Sequence, residues 1–183
     1  MAFKPGSGLR NFLQSQREPT GLSRAVPFLV IVVLVALQQA PLPGVQGVSA
    51  MPSLSLIAVY FWALSGEDRL SYAATFCLGL FKDLMTGTPL GLWALTLLLM
   101  HIYTASQTSV LASASFATNW VSFSLVAMVS YVTVFFGVSW HAGEAYVFSL
   151  VLLPFLMTVM VFPLMARVLR VIEERLSLLG VGA

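Results

Sequence analysis

Apolar residues run along this chain in long stretches, and the few charged positions that interrupt them divide it into segments. Between Arg24 and Glu67 lie 42 residues without Asp, Glu, Lys or Arg; Asp83 and Glu144 bracket 60 more, and Glu144 and Arg167 bracket 22. About 20 apolar residues, at ~1.5 Å rise each, cross a hydrocarbon core ~30 Å thick. The first stretch therefore predicts two helical spans, 24–40 and 48–65, around a turn at Pro41-Leu42-Pro43-Gly44 and Gly47. The second predicts spans at 89–107 and 116–138, joined by the Ser-rich connection 106–115, and the third a span at 144–170.

The stretch from Leu70 to Phe81 holds only 12 uncharged residues, too few to cross alone. Charge distribution decides it. Lys4, Arg10, Arg17 and Arg24 precede the first span, and Arg167, Arg170 and Arg175 follow the last. Flanking Lys and Arg stay on the cytoplasmic side. Two cytoplasmic ends require an even number of spans, so a sixth helix is predicted over 70–86, carrying Lys82 and Asp83 into the membrane. The expected fold is an all-α integral membrane protein: a six-transmembrane-helix bundle over 24–170, a cytoplasmic basic arm at 1–23 and a cytoplasmic amphipathic tail at 171–183. In this topology Trp62 and Trp120 fall near inner helix ends, and Trp93 and Trp140 near outer ones, as an aromatic belt predicts. The basic front and apolar run of the first helix also resemble a signal peptide. Its front is long, however, and the small-residue site Val48-Ser49-Ala50 is distant, so the helix is expected to be retained.

Composition agrees. Hydrophobic residues make up 58% of 183 residues, charged ones 9%, and mean hydropathy is +0.91. So few charges cannot cover the surface of a soluble domain, in which about 25% of residues are charged. A disordered chain and a nucleic-acid-binding domain are excluded on the same ground. A single cysteine, Cys77, excludes an intramolecular disulfide and a Cys-based metal site.

Ionisable residues inside a membrane are costly and are the first functional candidates. Lys82 and Asp83 are adjacent, about 100° apart on a helix, so they do not face each other. The long Lys82 stem is expected to snorkel to the outer headgroups as an interfacial anchor. Asp83 is too short for that. Thr88-Pro89 reads as an N-cap followed by proline at the first helical position. An acid one tight turn away is placed to accept hydrogen bonds from the unpaired N–H groups of that helix, with contact to a substrate, proton or partner as the other reading. Gly87 and Gly91 supply the dihedral freedom of the turn. Asp83, Gly87, Pro89 and Gly91 are thus the candidate structural or partner-binding turn.

Lone His101 is expected to be a satisfied packing residue, and Cys77 a small core residue. Glu144, three residues from His141, favours a helix N-terminus rather than a metal. Nucleophile elbows, phosphate loops and paired intramembrane carboxylates are absent from the sequence, so no enzyme activity, metal or cofactor is predicted. Pro154 and Pro163 fall inside the last helix, where transmembrane helices tolerate them. Beyond Arg167, Val168, Val171, Ile172 and Leu176 recur at three- and four-residue spacings. Such a face suits the membrane surface or a docked partner.

The block Gly79-Leu80-Phe81-Lys82-Asp83-Leu84-Met85-Thr86-Gly87-Thr88-Pro89-Leu90-Gly91 resembles the Gly-Leu-x-x-Asp-Leu-x-x-Gly-x-x-Leu-Gly pattern of the bacterial rod shape-determining MreD family. Tyr60-Phe61-Trp62-Ala63-Leu64 is similar to that family's second span, and Phe162-Pro163-Leu164 with Arg167 and Arg170 to its last helix and basic tail. The chain departs from the pattern in carrying Lys82 where an uncharged residue is expected. The resemblance implies a multi-pass protein of the bacterial inner membrane: a non-catalytic scaffold of the cell-elongation (Rod) complex that maintains rod shape by organising lateral peptidoglycan synthesis. Implied partners are an MreC-like periplasmic protein and, directly or through it, a RodA-like glycosyltransferase, a class B penicillin-binding transpeptidase and an MreB-like filament. The family fold has been likened to substrate-binding subunits of energy-coupling-factor transporters, which implies a small-solute-binding role as the rival.

Overall fold

In the structure, a computed structural model, residues 21–39, 51–65, 70–111, 113–143 and 149–178 are described. Among them every regular element is helical: α1 (Gly21–Gln38), α2 (Leu54–Leu64), α3 (Tyr72–Thr86), α4 (Leu92–Ser106), the single turn α5 (Thr108–Leu111), α6 (Phe116–Ala142) and α7 (Ser149–Leu178). Each of the six predicted segments overlaps one helix of 11 residues or more. The boundaries shift where turn chemistry intervenes. α2 begins only after Pro52 and Ser53, α4 begins at Leu92 rather than residue 89, and α6 runs four residues past 138 to end at Gly143 in a left-handed conformation. α7 continues through residue 170 to Leu178 without a break, so the described part of the predicted tail, 171–178, is an extension of the last helix. Residues 1–20 and 40–50, which carry most of the basic arm and the first predicted turn, lie outside the described residues.

α2 is the axis of the bundle. Five successive residues, Leu56 to Tyr60, have no exposed surface. A helix that is apolar on every side must be enclosed. It is enclosed by α1, α4 and α7, with α6 touching it more lightly. Around this axis, α3 and α4 form the most extensive pair, and α6 bridges α4 and α7. Tyr60 lies edge-on to Phe123 and Phe162, which stack with centroids 4.2 Å apart.

The surface is inverted relative to a soluble protein. The outer faces of the helices carry Val33, Leu99, Val129, Phe136, Met160 and Leu164, all well exposed, whereas Lys82 and Asp83 are buried. Exposed apolar area on this scale marks contact with lipid or protein. α6 and most of α7 are long and apolar enough to cross a membrane, while α1, α2 and α4 are shorter apolar helices. The protein is a helical membrane protein.

The tryptophans correct the simple belt. Only Trp140 is almost fully exposed; Trp62 and Trp93 are buried. Trp120 donates its indole N–H to the Val159 carbonyl at 3.0 Å. Proline at 163 has no N–H to give the carbonyl four residues earlier, so Trp120 supplies the missing donor from a neighbouring helix.

Candidate functional site

The α3–α4 connection is built from residues that stop one helix and delay the next. Gly87 takes φ 66° and terminates α3. The Pro89 carbonyl accepts the Leu92 N–H at 3.1 Å, closing a turn over Leu90 and Gly91, and Gly91 takes φ 97° as the N-cap of α4. Glycine suits both positions because side-chain-bearing residues rarely adopt positive φ. This corrects the expected Thr88–Pro89 cap. The extra turn moves the helix start to Leu92, and its N-cap residue has no side chain to offer the first N–H groups.

Asp83 does so from the other helix. Its carboxylate, with no exposed surface, receives four hydrogen bonds. Oδ2 accepts the N–H of Gly91 at 2.9 Å and of Ala94 at 3.3 Å. Oδ1 accepts the N–H of Trp93 at 2.9 Å and the hydroxyl of Thr88 at 2.7 Å. Three donors that a helix start leaves unpaired thus meet one anion at the positive end of the helix dipole. The geometry sets the two helices in a fixed register. A Cβ built on Gly79, one turn before Asp83, would collide with the backbone of Ala94 and lie 2.9 Å from the Trp93 carbonyl oxygen. Only glycine lets α3 approach this closely.

Lys82 overturns the expectation that it snorkels. It is 1% exposed. Its ammonium donates to Ser53 Oγ at 2.6 Å and Ser55 Oγ at 2.9 Å, and lies 3.5 Å from the centroid of the Trp93 ring. An ammonium has three donors. Two hydroxyl oxygens and an aromatic face accommodate all three without a carboxylate. The stem points inward, where the N-terminal end of α2 presents two hydroxyls to receive it.

Trp93 joins the two charges, giving its backbone N–H to Asp83 and its ring face to Lys82. The network extends further. The Ser53 N–H donates to Thr158 Oγ1 at 2.9 Å, and Thr158 donates to the Pro154 carbonyl at 2.7 Å. With the Thr158 hydrogen so used, Tyr131 is the donor in its 2.9 Å contact with Thr158. Parts of α3, α4, α6, α7 and the approach to α2 are therefore tied at one end of the bundle.

Of the candidate residues, Asp83 and Gly91 meet directly, while Gly87 and Pro89 shape the turn between them. The tail residues divide. Ile172 packs against the hydrophobic core, Val168 and Val171 are exposed, and the Leu176 side chain lies outside the described residues. The reason is the width of the face: Leu169, completely buried, draws Ile172 to the bundle. Cys77 is exposed on α3 rather than in the core. His101 is buried, with Nδ1 2.7 Å from Thr75 Oγ1 and its ring 4.8 Å from that of Tyr72. His141 is exposed, and Glu144 lies outside the described residues. Ser53, Ser55, Trp93, Thr158 and Gly79 are not legible as site residues in the sequence. Their signals are the Ser-x-Ser after Pro52, two hydroxyls in a segment with no charge, and the glycine one turn before the acid.

The family model for the rod shape-determining protein MreD matches residues 22–172. No curated protein matches the chain, and no solved structure does.

Proposed function

The chain belongs to the rod shape-determining MreD family, and we propose on that premise that it is a non-catalytic scaffold of the bacterial cell-elongation complex. In this reading it spans the inner membrane six times with both ends in the cytoplasm, and it organises lateral peptidoglycan synthesis by holding partners rather than by transforming a substrate. The family match over residues 22–172 carries the reading. The chemistry of the buried charges supports it. Asp83 and Lys82 are saturated by backbone N–H groups, hydroxyls and a ring of the same chain, so both serve architecture.

The same saturation weighs against a small-solute site, because the polar groups that converge beside Trp93 are already paired with one another. An MreC-like periplasmic protein is the expected direct partner, with a RodA-like glycosyltransferase, a class B transpeptidase and an MreB-like filament in the wider assembly. The α3–α4 turn, fixed by Asp83, Gly87, Pro89 and Gly91, and the exposed Val168 and Val171 are the proposed contact elements.

Affinity purification of the full chain from native membranes tests this. Recovery of an MreC-like protein, lost together with rod shape on deleting the chain, is the expected result. Recovery of a transporter ATPase module, or one tightly held vitamin-like solute per chain, would overturn it.

A further inference from the structure

α7 carries an exposed apolar stripe that outlasts the apolar part of the helix. Leu153, Met157, Met160, Leu164, Val168 and Val171 recur at spacings of three and four, and all are exposed. At about 3.6 residues per turn they fall within an arc of about 80°. The opposite side of the helix, through Phe162, Ala166 and Leu169, is buried in the bundle. As far as Leu164, lipid accounts for the exposure. Beyond it lipid does not. The uncharged run ends at Ala166, and Arg167, Arg170, Glu173, Glu174 and Arg175 follow. Val171 stands about 7 Å of helical rise past Ala166, through a headgroup layer itself about 5–7 Å deep. There Val168 and Val171 remain 43% and 54% exposed, covered neither by acyl chains nor by their own bundle.

A partner that covers the whole stripe must satisfy three conditions. Inside the bilayer it must be helical, because an open backbone leaves its polar groups unpaired there. It must leave the hydrocarbon at the level where α7 does. It must also stay apolar for one turn past that level, beside arginines. The α7 of a second copy meets all three by identity of sequence. Copies inserted in one orientation pair in parallel, about a two-fold axis along the membrane normal, so each stripe residue lies beside its own counterpart. Apolar then meets apolar from Leu153 to Val171. Three- and four-residue spacings are those of a left-handed helix pair. Arg175, one heptad after Val168, closes the row, and its long stem lets the guanidinium turn to water.

We propose that the chain self-associates through α7, with this stripe as the interface between two copies. The interface deepens the scaffold reading by giving Val168 and Val171 an occupant, and rests on it only in taking the two as contact residues. Pairing the last helices, with axes about 8–10 Å apart, sets two scaffolds and whatever each holds side by side.

Disulfide mapping tests it, on the full chain purified and reconstituted at low density in phosphatidylethanolamine–phosphatidylglycerol liposomes that hold no other protein. Cys77 is the only cysteine, so Cys77→Ser gives a silent background. In that background Leu164→Cys, Val168→Cys and Val171→Cys should each yield a covalent dimer on mild oxidation. Arg170→Cys, exposed at the same level but about 100° round the helix from Val171, should yield little or none. Val129→Cys, well exposed on α6, should behave like Arg170→Cys. Adding Val171→Glu to Val168→Cys sets like charges face to face and should lower the dimer yield about tenfold. No dimer at any stripe position, the result if lipid or a different protein covers α7, would overturn the interface. So would equal yields at Arg170→Cys or Val129→Cys, or a yield that Val171→Glu leaves unchanged. None of these outcomes touches recovery of an MreC-like protein from native membranes, and failure of that recovery leaves the liposome dimer standing.

Discussion

Lys82 and Asp83 are neighbours in sequence, both buried, and held by opposite means. Asp83 meets donors that are themselves immobile: the N–H groups of Gly91, Trp93 and Ala94, fixed by the start of α4. Lys82 meets acceptors that can turn away: two serine hydroxyls, 3.4 Å from each other, and a ring face. The difference lies in what each charge would leave behind. Donors stranded at a helix start have no alternative partner in an apolar bundle, whereas two hydroxyls can bond each other or a backbone carbonyl. A buried charge is thus indispensable when its partners are rigid and replaceable when they are not.

The largest effect should come from Asp83→Ala. Leaving the buried N–H groups of Trp93 and Ala94 unpaired, at about 1–3 kcal/mol each, and the part-buried one of Gly91 with them, predicts a loss of about 3 kcal/mol or more. Thermal unfolding in detergent, followed by circular dichroism, measures it. Asp83→Asn retains one oxygen acceptor and should fall between Ala and wild type. Gly79→Val ranks next, because its side chain must push α3 off the Ala94 backbone; overpacking of this kind costs about 1–3 kcal/mol or more. Crosslinking yield between cysteines placed on α3 and α4 should drop in step.

Gly91→Ala is expected to cost about 1–2 kcal/mol, the penalty of a left-handed backbone for a residue with a Cβ, since no atom lies within 4 Å of that Cβ position. The smallest effect is expected for Lys82→Met, which fills the same volume without a charge and should change stability by less than about 1 kcal/mol in either direction. A loss for Lys82→Met as large as that of Asp83→Ala would erase the distinction between rigid and mobile partners. Adding Ser53→Ala and Ser55→Ala to Lys82→Met should then be nearly neutral, because no hydroxyl is left to satisfy.

How much of this can be read from the residues follows the same divide. The clasp by Asp83 is a local affair, its backbone donors eight to eleven positions away, and Gly-Thr-Pro-x-Gly punctuates the turn plainly. Even so, the sequence pattern puts the helix start at residue 89, ahead of the observed Leu92. Thr-Pro is a strong start signal, and a glycine N-cap served from another helix carries no signal of its own. The partners of Lys82 lie 27 and 29 positions away, on α2 and at its N-cap, and the expected path to the headgroups follows from cost alone. Nothing local shows that two serines wait inside. Trp120 is similar. Its place near a helix end suggests an interfacial ring, while Pro163, far along the chain on α7, decides where its N–H goes. The helical segments are legible because stretches without charge are long; their packing order around α2 is not, since α2 differs from its neighbours in being enclosed rather than in its pattern.

In the proposed six-span topology, the clasp on Asp83 also bears on how the chain enters the bilayer during synthesis. Taken alone, α3 is a poor insertion signal: a lysine and an aspartate within one helix each disfavour transfer by up to about 2.5–3.5 kcal/mol. The groups that neutralise the aspartate emerge from the ribosome only with the start of α4, and the serines that receive the lysine have emerged already. α3 is therefore expected to wait in the translocon until the first turn of α4 is made, and the two helices to leave it as a hairpin. A glycosylation-site reporter placed after residue 86 should show α3 failing to integrate in chains cut before residue 91 and integrating once residue 94 has cleared the exit.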